Sequence, residues 1–196
     1  MTELPIRATY SLVDHDGTAV TEATYRGRWQ LVQFGFTSCK VVCPRALTKL
    51  SHVLDAIGPA PLVALYVTVD PARDTPAVMK AFLEASYPRF RGLTGAPDRI
   101  EDAKESFRVF TRRRAAPDGY DVQHTAITYL LDPAGRPAHH WPDVVASHVI
   151  TQDLLRFLGE ERRARSRPVP GPQEVGQAAV RAAVQPPAGA HPDRRG

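Results

Sequence analysis

The segment Leu62-Val63-Ala64-Leu65-Tyr66-Val67-Thr68-Val69 is apolar or β-branched at every position. It has the length of a strand and no alternation, the pattern of a strand covered on both faces of a parallel or mixed sheet. Covering two faces requires helices above and below, so the chain is expected to fold as a layered α/β protein. This run is also the longest apolar stretch, and it is far too short to span a membrane. With 196 residues, 43% of them hydrophobic, one domain can build its own core. Its only two cysteines, Cys39 and Cys43, rule out a multi-bridge disulfide scaffold.

The elements around that strand follow from pattern and punctuation. Tyr10 to Val13 and Thr18 to Val20 flank an Asp-Gly turn and predict an N-terminal β-hairpin. Trp29 to Phe36 predicts the next strand, and Pro44 opens a helix carrying Leu47, Leu50, Leu54 and Ile57 on one face. Asp74-Thr75-Pro76 supplies a cap and a first-turn proline for a second helix, with Val78, Met79, Phe82 and Leu83 facing inward. A third helix is expected from Pro97 to Phe107. Ala126 to Leu131 and Pro137 to Trp141 flank a turn and predict a second hairpin. A last helix, from about Thr151 to Arg165, would turn Leu154, Leu155 and Leu158 inward. This order predicts a thioredoxin-like three-layer α/β sandwich with an N-terminal β-hairpin and an inserted helix, spanning residues 1–165.

Residues 166–196 are rich in proline, alanine, glycine and arginine and poor in large apolar side chains, which predicts a disordered tail. The net charge of +4 sits mostly near that end, because Gly159 to Gly196 contains seven arginines against four acidic residues. The remainder is close to neutral, so a nucleic-acid-binding surface is not expected. Met1 to Arg7 lacks the basic start and apolar run of a secretory signal, and no membrane span is expected in the chain.

Cys39 ends a loop leaving a strand, and Cys43 stands at the entrance of the following helix. A spacing of four across a helix start turns both sulfurs to one side, where they can form a small-loop disulfide or pinch one metal ion. The helix N-terminus is expected to lower the thiol pKa values, with Lys40 adding positive charge in the same direction. Two buried structural cysteines are the plainer alternative. Zinc is disfavoured, because the spacing is not that of a zinc finger and no second pair of ligands accompanies it. Two thiolates select monovalent copper, which would take a third ligand from elsewhere. His124, just before the Ala126 to Leu131 strand, is favoured over His52, His139, His140 and His148; His52 lies too far along its helix, and the others read as surface histidines.

Phe34-Gly35-Phe36-Thr37-Ser38-Cys39-Lys40-Val41-Val42-Cys43-Pro44, Val67-Thr68-Val69-Asp70-Pro71-Ala72-Arg73-Asp74-Thr75-Pro76, Gly92-Leu93-Thr94-Gly95, and His124-Thr125 with Tyr129-Leu130-Leu131-Asp132-Pro133-Ala134-Gly135 together resemble the Sco/SenC family, in family order, over roughly Tyr10 to Leu158. The resemblance implies a thioredoxin-like copper-binding protein that assists assembly of the binuclear copper A centre of cytochrome c oxidase, by delivering copper or by reducing that site's cysteines. It implies Cys39 and Cys43 as thiolate ligands and His124 as the imidazole ligand. It places Asp70 near the metal loop, orienting a ligand or tuning charge. Asp70, Arg73, Asp74 and Thr75 could equally build only a strand-to-helix turn, with an Arg-Asp pair and a helix cap. Family members act on the exported, periplasmic side of a membrane, whereas the chain shows no anchor, so the compartment stays open.

Two departures stand out. Lys40-Val41-Val42 replaces the usual Pro-polar-aliphatic run, and Gln123 replaces a commonly acidic residue. A thiol-disulfide oxidoreductase, in which one cysteine attacks a partner disulfide and the other resolves it, would use the same pair. A peroxiredoxin-like peroxidase is weaker, because no threonine stands three residues before Cys39.

Overall fold

The computed structural model describes residues 6–117 and 119–166. By internal contacts the chain divides into Met1–Phe157 and Leu158–Gly196. The expected tail, apart from Ser166, lies outside the described residues.

The first unit is built on a mixed sheet. Its strands are β1 (Ser11–Asp14), β2 (Ala19–Thr21), β3 (Trp29–Gly35), β4 (Leu62–Thr68), β5 (Phe90–Thr94), β8 (Ile127–Leu131) and β9 (Pro137–Pro142), in the order β2-β1-β5-β4-β3-β8-β9. Thr111–Ala116 (β6) and Gly119–His124 (β7) form a separate two-stranded sheet. β3 pairs parallel with β4 and antiparallel with β8, so β4-β3-β8-β9 is the expected thioredoxin-like core, with the N-terminal hairpin added beyond β5. Every residue of β3 is buried. Because successive side chains point to opposite faces, full burial means that both faces of β3 are covered.

Burial at β3 includes two glutamines whose amides are satisfied. Gln33 accepts from the Thr128 hydroxyl at 2.6 Å, and Gln30 accepts from the Tyr10 hydroxyl at 2.8 Å. A buried amide without partners would cost about 1–3 kcal/mol, so these bonds let polar residues occupy the central strand.

The helices are α1 (Val42–Ile57), α2 (Pro76–Ser86), α3 (Pro97–Phe107) and α4 (Ser147–Ser166). α1 begins two residues before the expected Pro44, because a proline in the first turn lacks only an N–H that would have no helical partner. Leu47, Leu50 and Leu54 are buried as their spacing requires. In α2 the cap is Thr75, whose hydroxyl accepts from the Val78 N–H at 3.3 Å. Met79 and Leu83 form the buried stripe, whereas Val78 is 42% exposed, contrary to expectation. Both buried side chains pack where a Cβ on Gly92 would stand, so β5 needs that glycine to receive α2. In α4, Leu154 and Leu158 are buried as expected, together with Ile150, while Leu155 is half exposed, which corrects the expected apolar face at that residue alone. No helix among the described residues is long and apolar enough to cross a membrane.

Candidate metal centre

The site gathers at the end of β3 and the start of α1. β3 runs into Phe36 and the loop 37–41, and α1 then carries Cys43 as its second residue, buried, with Cys39 half-buried in the loop before it. The Cys43 N–H points at Cys39 Sγ, 3.4 Å away, so a first-turn amide of the helix serves the first sulfur.

The two thiols behave oppositely. Cys39 is held down to about 5 by a hydrogen bond from the Cys43 thiol, supported by the backbone N–H groups of Cys43, Val41 and Val42 and opposed by partial burial. Cys43 is pushed well up, because that same bond keeps its proton in place and burial disfavours its charge. A helix N-terminus acting on both sulfurs alike is therefore corrected. The two thiols therefore titrate as one coupled pair, with the first ionisation favoured at Cys39 and the remaining proton held toward Cys43.

His124 closes the third side. It is the last residue of β7, and its Nε2 lies 3.6 Å from Cys43 Sγ. Its Nδ1 is 2.9 Å from the Thr125 carbonyl oxygen, which can only accept. In the neutral ring the proton is thus on Nδ1, and Nε2 turns its lone pair toward the sulfur. Backbone-anchored Nδ1 with free Nε2 is the arrangement of a metal-binding imidazole. Two sulfurs and one nitrogen make a soft donor set, suited to copper. Among the described residues, no three His, Cys, Asp or Glu side chains stand placed to hold a metal ion: the structure brings Cys43 to Cys39 and His124 to Cys43, and does not bring all three onto one point.

Of the other histidines, His52 and His148 are exposed on α1 and α4. His139 is not a plain surface residue: it packs edge-on to Trp141 at 4.8 Å and faces Asp153, and burial lowers its pKa. Asp70 is fully buried, but its oxygens go to Arg73 Nε at 2.5 Å and to the Tyr120 hydroxyl at 2.7 Å. Gln123 lies on the exposed face of β7, opposite to His124.

Three supporting residues escaped the sequence reading. Asp74, expected as part of a helix cap, turns inward instead. It accepts from the Thr37 N–H at 3.1 Å, the Thr37 hydroxyl at 2.5 Å and the Thr68 hydroxyl at 2.6 Å, tying the cysteine loop to the end of β4. Tyr66 is fully buried, and the single hydrogen of its hydroxyl is shared between the Phe36 carbonyl at 3.2 Å and the Cys43 sulfur, to both of which it can donate. That hydroxyl occupies the place a Cβ on Gly35 would need, so the glycine is there for close approach. The third, Tyr120, binds Asp70. A glycine before an aromatic and a Thr-Asp pair at fixed positions were visible, but nothing in the chain says which buried groups will meet.

The SCO1/SenC family model matches residues 2–159. Protein sco1 of Schizosaccharomyces pombe is 34% identical over 165 residues, covering 81% of the chain and 61% of that protein's length. ScoI of Bradyrhizobium japonicum, solved with copper bound, is 37% identical with a TM-score of 0.71, covering 78% of the chain and 99% of that structure. BsSco, a member of the Sco family of cytochrome c oxidase assembly proteins in which a disulfide switch was identified, is 25% identical with a TM-score of 0.64, covering 81% of the chain and 96% of that structure. The thioredoxin-like sheet, the two cysteines at the mouth of α1 and the histidine facing them thus occur together with a family match along almost the whole first unit, and the chain belongs to the SCO1/SenC family.

Proposed function

We propose that this chain is a copper metallochaperone that assists assembly of the copper A centre of cytochrome c oxidase, with Cys39, Cys43 and His124 as the ligands of its cargo. The observation that carries this reading is the imidazole Nε2 of His124 set 3.6 Å from Cys43 Sγ, whose own N–H points at the sulfur of Cys39. The B. japonicum relative with copper bound, and the oxidase-assembly role of BsSco's family, support it. Copper is the substrate. Its uptake displaces the Cys43 proton, because a thiol must lose its proton to ligate. A set of only three donors leaves room for a recipient's ligand to enter, and cargo then passes by ligand exchange.

The test is anaerobic Cu(I) titration of the reduced protein against Cys39→Ser, Cys43→Ser and His124→Ala. One tightly bound equivalent, lost or strongly weakened in all three, supports the reading. Unchanged binding in either cysteine variant overturns the ligand set.

The split thiol pair favours a second reading, thiol-disulfide exchange. The Cys39 thiolate would attack a partner disulfide, forming a mixed disulfide and releasing one partner thiolate. Cys43, losing its proton, would then attack Cys39 Sγ, leaving a Cys39–Cys43 disulfide and a second partner thiolate. Two electrons pass to the partner. Retained disulfide reduction by His124→Ala, with copper binding lost, separates the two activities.

A further inference from the structure

We propose that Tyr120 and Arg73 are positioning residues that hold His124 against Cys43 by fastening the β6–β7 hairpin to the buried carboxylate of Asp70. This rests on His124 being a copper ligand. The hairpin belongs to its own two-stranded sheet and takes no part in the seven-stranded ladder. At its base, Thr125 N–H donates to the Phe110 carbonyl and Phe110 N–H to the Thr125 hydroxyl, both at 3.0 Å. Beneath it lies a cavity of about 230 Å³ lined by Val69, Pro71, Lys104, Thr111, Arg113 and Val122. Val122 is buried, but the packing around it is incomplete, so polar attachments add to what holds this part of the hairpin down.

Those attachments converge on Tyr120. Its hydroxyl donates to Asp70 Oδ1 at 2.7 Å, while Arg73 Nη1 donates to its carbonyl oxygen at 3.1 Å. The Arg73 guanidinium lies 4.0 Å from the centre of the Tyr120 ring, and that of Arg113 lies 4.9 Å from it. Arg73 Nε binds the other oxygen of Asp70, and Arg113 Nη2 stands 3.7 Å from Oδ1. Asp70 thus spends its charge on the hairpin and its arginines, and its influence on the ligands runs through β7.

Strand geometry makes the connection direct. Tyr120, Val122 and His124 alternate with exposed Asp121 and Gln123, so all three share the inner face. Tyr120 and His124 are about 13 Å apart at about 3.3 Å per residue. Releasing Tyr120 frees the far end of a short lever whose near end carries the imidazole. Arg73 also reaches the loop side: its guanidinium is 5.6 Å from the Phe36 ring, which meets the His124 ring edge-on at 6.2 Å.

The experiment is a double-mutant cycle on Cu(I) affinity, measured by chelator competition, joined to amide hydrogen exchange on the reduced, metal-free protein. Tyr120→Phe keeps the ring and its stack on Arg73 and removes only the hydroxyl; Arg73→Lys is the second probe. Expected for Tyr120→Phe is an affinity loss of about tenfold when His124 is present, and less than twofold in a His124→Ala background. Exchange of the amides from Thr111 to His124 should quicken about tenfold, with β3 and β4 unchanged. Equal losses with and without His124, or no loss, overturn the proposal. If the parent protein binds no Cu(I), the copper reading fails by itself, and exchange still decides the latch: acceleration confined to the hairpin supports it, and unchanged exchange overturns it.

Discussion

Cys43 Sγ and His124 Nε2 stand 3.6 Å apart although 81 residues of chain separate them. The contact joins the first turn of a helix to the end of a strand in a different sheet. Every further property of the site depends on how firmly those two supports are held.

In the reduced, metal-free protein, one thiol should react with iodoacetamide at neutral pH and the other should not. The rate should follow an apparent pKa of about 5, set by Cys39, and Cys43 should be modified only after unfolding. Mass mapping of the alkylated residues across pH 4–9 checks this. Equal labelling of both cysteines would contradict the proton-sharing pair.

The same asymmetry predicts the pH dependence of stability. Cys39 is depressed on folding, so its contribution is complete above the ordinary thiol pKa and is lost as pH falls toward about 5. Cys43 is raised, so its contribution is complete below the ordinary thiol pKa and is lost as pH rises beyond it. Urea unfolding of the parent and of Cys39→Ser should give a difference that grows from pH 5 to pH 8.

Gly35→Ala should destabilise the fold by about 1–3 kcal/mol, because the added methyl meets the Tyr66 hydroxyl inside a packed core. Removing that hydroxyl with Tyr66→Phe should recover part of the loss. Strictly additive effects in chemical denaturation would show that the two positions do not meet.

Asp74→Ala should cost about 2–4 kcal/mol, since it leaves the Thr37 N–H and the hydroxyls of Thr37 and Thr68 without their acceptor. The loop that carries Cys39 loses its tie to β4, so Cys43, protected in the folded parent, should become open to alkylation in the folded variant. Denaturation and labelling rates measured together separate these effects.

Truncation after Ser166 should leave Cu(I) stoichiometry unchanged, because Cys39, Cys43 and His124 all belong to the unit Met1–Phe157. Titration of the shortened protein checks this directly, and a lost equivalent would bring the last thirty or so residues into the site.

Where burial is periodic, the elements could be read directly. The apolar run of β4, the leucines of α1 and the Pro97 start of α3 need only neighbours a turn or a pleat away, and they appear where expected. β5 was missed, because Gly92 and Arg91 break a short apolar run and their reason lies in α2 and β1. β6 and β7 were missed too: Arg112-Arg113-Arg114 looks like solvent-exposed chain, and the alternation of Tyr120, Val122 and His124 gains meaning only once a buried acid stands beneath it.

A layered α/β core, two cysteines at a helix entrance and, through resemblance, a family were legible in the amino-acid order alone, and the resemblance also implied a ligand set. Those are local matters, governed by side-chain periodicity and by which residues can start a helix. It took the folded chain to show that the two thiols are shifted in opposite directions, that His124 turns its Nε2 to Cys43, and that Asp70 binds the hairpin through Tyr120. Such outcomes depend on hydrogen bonds and burial between segments far apart in the chain, and the short range of those forces leaves no trace in local pattern.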